Sequence, residues 1–473
     1  MLGVRTDSTP SARRRGHVLL KLFAVSALAA AFLTPPPAAA SARHAGGPEC
    51  RRTTVAAVAH QDDDLLFMSP DLEKDYRQGN CLKIVYLTAG DSGQGPLFYE
   101  SREDGVRAAY SLLAGVPDAW RNERIRLGGH RIRTSRLTVP AGRPRIEVAF
   151  MRLPDGFERG QGSAAGRYQS LQKIFDGRIR DITAIDGSAV YTEHSLVATL
   201  RTIIGTPRPD VVRTLDYDNT RLGRSTEPGA DHSDHSVAAR LVRIADLPNL
   251  THTEAGRRPV PLVAYRGYAI DQLPANLPAA QEQRKAQIYL AYFRHEGCRP
   301  ADCPPQPPPV LPSYPAWWAR EYHRTPPEAP PGALVSWIGS NTAPNTDDNT
   351  GRCLDASASR GAAPRQVRTA ACDGSAAQDW SAAQNWSTAQ NRSAAQGALR
   401  DKATGRCLTG GATVTTADCD GRPEQRWHLD ALGRLSASGR CLTQDDLLTT
   451  SPALRLRPCD EDDPGQRWYG KPT

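Results

Sequence analysis

Two short stretches of the chain carry residue types that do hydrolytic chemistry. The first is Ala59-His60-Gln61-Asp62-Asp63-Asp64. A histidine and three carboxylates packed this closely repel one another unless a cation or hydrogen bonds compensate. A divalent ion satisfies such a cluster. Mixed His and Asp donors suit zinc, other first-row ions are compatible, and an Asp-rich loop can also hold calcium or magnesium. The second stretch is Asp231-His232-Ser233-Asp234-His235. It stands at the predicted start of a helix, where residues three apart share a face, so His232 and His235 can point into one site. Two histidines and one carboxylate, with a position left open for water, form the ligand pattern of a hydrolytic zinc.

The elements that must position these groups read as α/β. Apolar, β-branched runs predict strands at Thr53–Ala59, Leu82–Thr88, Ile146–Met151, Val211–Leu215 and Leu262–Tyr265. Helical apolar spacing covers Arg102–Leu113, ending at Gly115, and Leu196–Ile204, ending at Gly205 and Pro207. It also covers Val237–Ile244 and Gln281–Phe293. Strands alternating with helices imply a Rossmann-like, mostly parallel sheet with helices on both faces. Active sites in such sheets gather at the carboxyl ends of strands, and His60 directly follows the first of them.

Together the two motifs resemble the PIG-L/LmbE-like de-N-acetylases, whose motifs read A-H-P-D-D and H-x-D-H; the likeness spans roughly residues 53–295. Leu87-Thr-Ala-Gly-Asp91, Arg102-Glu103, Leu113-Ala-Gly-Val116 and Arg208-Pro-Asp210-Val-Val are similar to further landmarks of that family. The resemblance implies one Zn2+ per catalytic domain, or another divalent first-row metal, held by His60, Asp63 and His235. It implies Asp62 as general base, His232 as the group that stabilises or protonates the tetrahedral intermediate, and Asp234 as the partner that fixes a histidine's tautomer. Asp91 and Arg102 are candidates either for holding the sugar or for a structural ion pair near the site. Gln61 replaces the family's usual proline, Asp64 stands where glutamate is common, and Ala230 lies where some relatives carry a tyrosine.

A proline-rich stretch follows, with Pro304–Pro309 nearly continuous and Pro326–Pro331 repeating the theme. Between them, Tyr314, Trp317, Trp318 and Tyr322 are too aromatic for a free linker and are expected to pack back on the first domain. Beyond residue 333 the composition turns to Gly, Ser, Thr and Ala, and a unit recurs three times. Gly351-Arg-Cys353-Leu-Asp355 leads to Cys372 and Gln378-Asp-Trp380, Gly405-Arg-Cys407-Leu-Thr409 to Cys419 and Gln425-Arg-Trp427, and Gly439-Arg-Cys441-Leu-Thr443 to Cys459 and Gln466-Arg-Trp468. This triplication resembles the ricin-type β-trefoil, a carbohydrate-binding family with structural Q-x-W tryptophans. Only the first unit keeps an aspartate after its Cys-Leu pair, so Asp355 is the sugar-binding candidate. A six-residue period over 375–396 is too poor in apolar residues for a core of its own and reads as a looped-out expansion of the first unit.

Export is written at the front. Arg13, Arg14 and Arg15 precede a twelve-residue apolar run, Leu22–Leu33, broken by Pro35–Pro37 and followed by Ala-rich cleavage sites. Residues 1–42 therefore read as a signal peptide rather than a membrane span. The full chain carries +8, of which about half leaves with the signal. The remainder is mild for a chain of this length and gives no case for nucleic acid. Ten cysteines, an even number, in an exported chain favour disulfides. Their spacing suggests local pairs: Cys50–Cys81, Cys298–Cys303, Cys353–Cys372, Cys407–Cys419 and Cys441–Cys459.

The expected organisation is thus a signal peptide (1–42), a deacetylase domain (48–324), a Pro-rich linker (325–332) and an all-β trefoil (333–470). The expected activity is removal of an N-acyl group from an amino sugar or glycoconjugate outside the cell. The trefoil would add polysaccharide contact, with neither nucleic acid nor stable membrane insertion involved. Two other readings compete: a different metal-dependent hydrolase such as a phosphoesterase, and a degenerate carbohydrate-binding protein. Deletion of 333–473 is expected to leave hydrolysis of a small substrate intact.

Overall fold

A computed structural model describes residues 50–217, 219, 221–251, 260–324, 332–336, 352–357, 366–382, 395–430, 433–444, 454–460, 463–470 and 472. The expected signal peptide, the linker up to residue 331 and residues 383–394 of the six-residue repeat lie outside these.

The first domain is built in the order β1 (Thr53–Val58), α1 (Asp63–Phe67), α2 (Asp71–Arg77), β2 (Cys81–Thr88), α3 (Pro96–Ala114), β3 (Trp120–Leu127), β4 (His130–Leu137), β5 (Ile146–Leu153), α4 (Leu171–Phe175), β6 (Ile182–Thr183), β7 (Val190–Tyr191), α5 (Glu193–Gly205), β8 (Val211–Leu215), α6 (Ser233–Thr251), β9 (Leu262–Tyr265), α7 (Ala279–Phe293) and α8 (Ser313–Trp318). A seven-stranded sheet runs β3-β4-β5-β2-β1-β8-β9. β1 pairs in parallel with β2 on one side and β8 on the other. The chain therefore leaves β1 in one direction and returns on its other flank, and a ligand crevice opens at such a switch point.

Strand periodicity divides the core in two. Val55, Ala57, Val85 and Leu87 face α4, α5 and α6, while Ala56, Val58, Ile84 and Tyr86 face α1, α2, α3 and α7. Both faces are covered, which is why these strands read as continuous apolar runs. The antiparallel hairpin β3–β4 was not among the expected elements. Trp120-Arg-Asn-Glu-Arg-Ile-Arg-Leu127 is mostly exposed, so no apolar run marks it. Its charges suit the sheet edge it occupies. Helix α3 also starts earlier than its apolar spacing indicates, at Pro96, where a missing N–H costs nothing. The aromatic segment does pack back: Trp317 is buried in the second cluster, with Tyr314, Trp318 and Tyr322 against it.

In the C-terminal domain the described strands form three antiparallel sheets of four, four and five. Leu334–Ser336 pairs with the last strand, Trp468–Gly470, so the domain closes on itself. The three repeats make the same bonds. The indole N–H groups of Trp380, Trp427 and Trp468 donate to the carbonyls of Leu354, Leu408 and Leu442 at 3.0, 2.8 and 3.0 Å. Gln378, Gln425 and Gln466 accept from the backbone N–H groups of Asp373, Asp420 and Asp460. All ten cysteines are paired, in the five local bridges that their spacing suggests.

The two domains touch through a buried contact. Arg467, the middle residue of the third Q-x-W, donates to Glu193 Oε1 at 2.8 Å and covers the Phe175 ring at 4.6 Å. Ala333, Val335 and Cys353 belong to the same apolar cluster as α4, α5 and α6.

Candidate metal centre and active site

β1 ends one residue before Ala59, and the chain turns at once into α1. His60 caps this turn: its backbone N–H donates to Asp63 Oδ2 at 2.7 Å. The opposite wall is the start of α6, which begins at Ser233. His232 therefore sits just outside the helix and His235 in its first turn, with ring centroids 5.3 Å apart. The sheet brings these walls together across 175 residues of sequence.

Three donor atoms converge. His235 Nε2 lies 2.9 Å from Asp63 Oδ1 and 3.1 Å from His60 Nδ1, and His60 Nδ1 lies 3.4 Å from Asp63 Oδ1. Ligand atoms held about 2.0–2.1 Å from a tetrahedral zinc stand roughly 3.3–3.4 Å apart, so the triangle fits one ion. Electrostatics agree. Burial opposes charge on His235, yet Asp63 and Asp231 push its pKa up to about 10. Burial opposes charge on His60 too, but Asp63 foremost, with Asp234 and Asp155, holds its pKa well above the ordinary value. Burial likewise works against the Asp63 carboxylate, and His235 and His60 keep it far below the usual carboxylate range. The carboxylates demand positive charge at this point, which a divalent cation supplies.

A second, looser set lies on the far side of His60. Donor atoms of His60, Asp155, His232 and Asp234 all fall within 4.8 Å of one another, as do those of His60, His232 and His235. His60 Nε2 faces Asp234 Oδ2 at 3.4 Å, and both His60 Nε2 and Asp234 Oδ1 are buried without a hydrogen-bond partner. The triangle on the Nδ1 side is the more compact of the two.

Asp62 stands at the N-terminal edge of α1, with its side chain 16% exposed, open to water where the three triangle residues are not. Arg102 Nη2 donates to Asp62 Oδ1 at 2.8 Å, Nη1 to the Gly90 carbonyl and Nε to the Tyr292 hydroxyl. Of the two readings of Arg102, the geometry has the ion pair: its guanidinium is buried and bonded to Asp62. A Cβ on Gly90 would lie 2.4 Å from Arg102 Nη1, so this clamp needs a glycine. Asp91, the other candidate, is buried too. It accepts from the backbone N–H groups of Asp155 and Gly93 and so shapes the loop after β5. Asp64 points away from the centre to the hydroxyls of Tyr86 and Tyr110, and burial raises its pKa to about 7.

His232 is held as a neutral donor. The backbone N–H of Asp234 donates to its Nδ1 at 3.1 Å, which leaves the proton on Nε2, and burial together with His60 lowers its pKa. Asp234 accepts from the Gly156 N–H at 2.7 Å, so it ties α6 to the loop after β5 as well as facing His60.

Asp155 and Tyr268 were not among the expected site residues, and Asp231, although part of the second stretch, had no role assigned. Asp155 follows β5 and lies 3.8 Å from His232 Nε2; a carboxylate just past a strand end was the available signal. Asp231 accepts from His235 Nδ1 at 2.7 Å. Tyr268 comes from a short 3-10 turn after β9; its ring centroid is 4.8 Å from that of His235 and 5.2 Å from that of Trp317. A tyrosine thus does reach the site, from a segment far from Ala230, and no periodicity announced it.

Asp355 changes meaning. It is buried, and its Oδ2 accepts from Gln378 Nε2 at 2.9 Å. Thr409 accepts the equivalent bond from Gln425 in the second repeat. Both residues brace the Q-x-W turn, and the aspartate has no free face to offer a sugar.

Residues 55–245 match the GlcNAc-PI de-N-acetylase family, and residues 345–468 match the ricin-type beta-trefoil lectin domain family. The chain joins a PIG-L-type domain to a ricin-type β-trefoil. No curated protein matches it. Among solved structures, N,N'-diacetylchitobiose deacetylase from Pyrococcus horikoshii is 13% identical, with 53% of this chain and 72% of that one covered and a TM-score of 0.29. A teicoplanin deacetylase in its zinc-inhibited form is 16% identical, with 51% and 83% covered and a TM-score of 0.28. The designed threefold-symmetric protein ThreeFoil is 19% identical, with 29% and 94% covered and a TM-score of 0.23. At these scores the likenesses carry no functional weight.

Proposed function

We propose that the protein is a secreted, zinc-dependent de-N-acetylase that hydrolyses the N-acetyl group of an amino sugar or glycoconjugate. The observation that carries this reading is the triangle of His60 Nδ1, Asp63 Oδ1 and His235 Nε2, 2.9 to 3.4 Å apart, preceded in sequence by the partly exposed Asp62 carboxylate. The match of residues 55–245 to a de-N-acetylase family supports it. The same reading divides the chain into a hydrolase domain at 48–324 and a trefoil at 333–470, joined through 325–332.

His60, Asp63 and His235 would hold the ion. When bound, it polarises the amide carbonyl and lowers the pKa of water toward about 7. Asp62, aimed by Arg102, takes a proton from the attacking water, a step worth about 10²–10⁴-fold for a positioned base. Its carboxyl then gives that proton to the departing amine, and acetate and a free amine leave. His232 offers its Nε2–H to the developing oxyanion as a neutral donor. Asp234 holds the loop after β5 in place beside it.

The five disulfides support an extracellular setting, and no helix of the described residues is long and apolar enough to cross a membrane. The ricin-type fold of the second domain supports contact with carbohydrate, without Asp355 as its anchor. The test is metal analysis of the purified protein together with acetate release from a panel of N-acetylated glycans. Stoichiometric zinc with metal-dependent acetate release is the expected result. Phosphate ester hydrolysis without acetate release would overturn the reading in favour of a phosphoesterase.

A further inference from the structure

Asp231 lies one residue ahead of the second motif. It is completely buried. Its Oδ1 gathers three donors: the His235 ring through Nδ1 at 2.7 Å, the backbone N–H of His232 at 2.9 Å and the backbone N–H of Tyr268 at 3.3 Å. Its Oδ2 has no hydrogen-bond partner. The backbone on either side is pinned, because Asp231 donates to the Arg221 carbonyl and accepts from Gly223.

A buried carboxylate accepts and cannot donate, so His235 must carry its proton on Nδ1. That leaves the Nε2 lone pair directed at Asp63 Oδ1 and His60 Nδ1. Asp231 therefore selects the one tautomer and the one ring orientation in which His235 can act as a ligand, as outer carboxylates do for histidines in metal sites generally. The arrangement has a counterpart on a distant element. A Cβ placed on Gly267 would lie 2.4 Å from Asp231 Oδ2 and 2.6 Å from Oδ1. A side chain at Gly267 would therefore have to displace the Asp231 carboxylate.

We propose that Asp231, given room by Gly267, is a positioning residue that fixes His235 as a metal ligand and thereby sets the affinity of the centre. This rests on the metal-centre reading above. The test uses the full chain stripped of metal, with zinc affinity measured by chelator competition and the visible spectrum of the cobalt(II)-loaded protein as the signature of coordination. Asp231→Ala is expected to weaken zinc binding by about 10–100-fold and to shift the cobalt spectrum. Asp231→Asn keeps an acceptor oxygen and is expected to fall between the wild type and the alanine variant. Gly267→Ala, which touches no ligand, is expected to move affinity and spectrum in the same direction. Should Asp231→Ala not fold, the Asn and Gly267→Ala variants carry the test. A wild type that binds zinc tightly, with variants equal to it in affinity and spectrum, overturns the role of Asp231 and leaves the metal centre standing. A wild type that binds no divalent metal overturns both.

Discussion

Arg467→Ala should loosen the whole molecule, although residue 467 lies in the trefoil and far in sequence from the hydrolase core. The guanidinium is 3% exposed and its partner Glu193 12%. Removing one member of a buried ion pair typically costs about 3–5 kcal/mol, because the other charge stays behind unpaired. Glu193 occupies the first turn of α5, where the helix dipole also stabilises its carboxylate, so the lower end applies, about 3 kcal/mol. Loss of the arginine over the Phe175 ring adds to this. At roughly 2–4 °C per kcal/mol, the first unfolding temperature should fall by about 6–12 °C. Differential scanning calorimetry of the full chain is the assay. The wild type should melt as one body. The variant should show two transitions, with the trefoil surviving separately on its three disulfides. Glu193→Gln should cost less, since a neutral amide can still accept from Arg467. An Arg467→Ala variant that melts within about 1 °C of the wild type in a single transition would refute the clasp. Deletion of residues 333–473, expected to leave hydrolysis of a small substrate intact, also uncovers the apolar cluster that Ala333, Val335 and Cys353 help close.

Other outcomes follow from the centre and the core. Asp62→Asn should retain zinc and lose about 10²–10⁴-fold in turnover; near-full activity in a steady-state acetate assay would remove Asp62 from the base position. Arg102→Gln should lower kcat more than it raises KM, because the guanidinium orients Asp62 rather than the substrate; the reverse pattern would restore it as a sugar contact. His235→Ala should lower metal content by elemental analysis, and unchanged stoichiometry would contradict its place in the triangle. Burial pushes the Asp176 pKa up to about 6 against Arg178, Gln172 and Arg240. The folded value lies above the unfolded one, so this group's contribution to stability is fully present below about pH 4 and lost as pH rises through about 6, roughly 3 kcal/mol in all. Asp176→Asn should flatten that part of the stability profile in denaturant titrations; an unchanged slope would show that Asp176 does not titrate there.

Much of the architecture was legible because it is written in local chemistry. The apolar runs of β1, β2, β5, β8 and β9 stand out since both sheet faces are buried. The three Gly-Arg-Cys-Leu units repeat because each fills the same place in a threefold ring. His60, Asp62, Asp63, His232 and His235 were visible as types and spacings. The hairpin β3–β4 was not, because an exposed, arginine-rich edge has no apolar period to read.

The sequence by itself determined which donors exist, that they follow a strand end and begin a helix, and which cysteines are near enough to pair. Only the tertiary structure decided what each group faces. Arg102 became a clamp on Asp62 rather than a sugar contact because α3 carries it beneath the turn after β1. Asp355 turned from a sugar anchor into a brace because the trefoil fold buries it against Gln378. Asp155 and Tyr268 joined the site because sheet order, not chain order, sets which strand ends are neighbours, whereas Asp231 reaches His235 within its own stretch. Hydrogen bonds and ionic contacts depend on distances of a few ångströms between residues tens to hundreds apart in sequence, and those distances exist only once the sheet has closed.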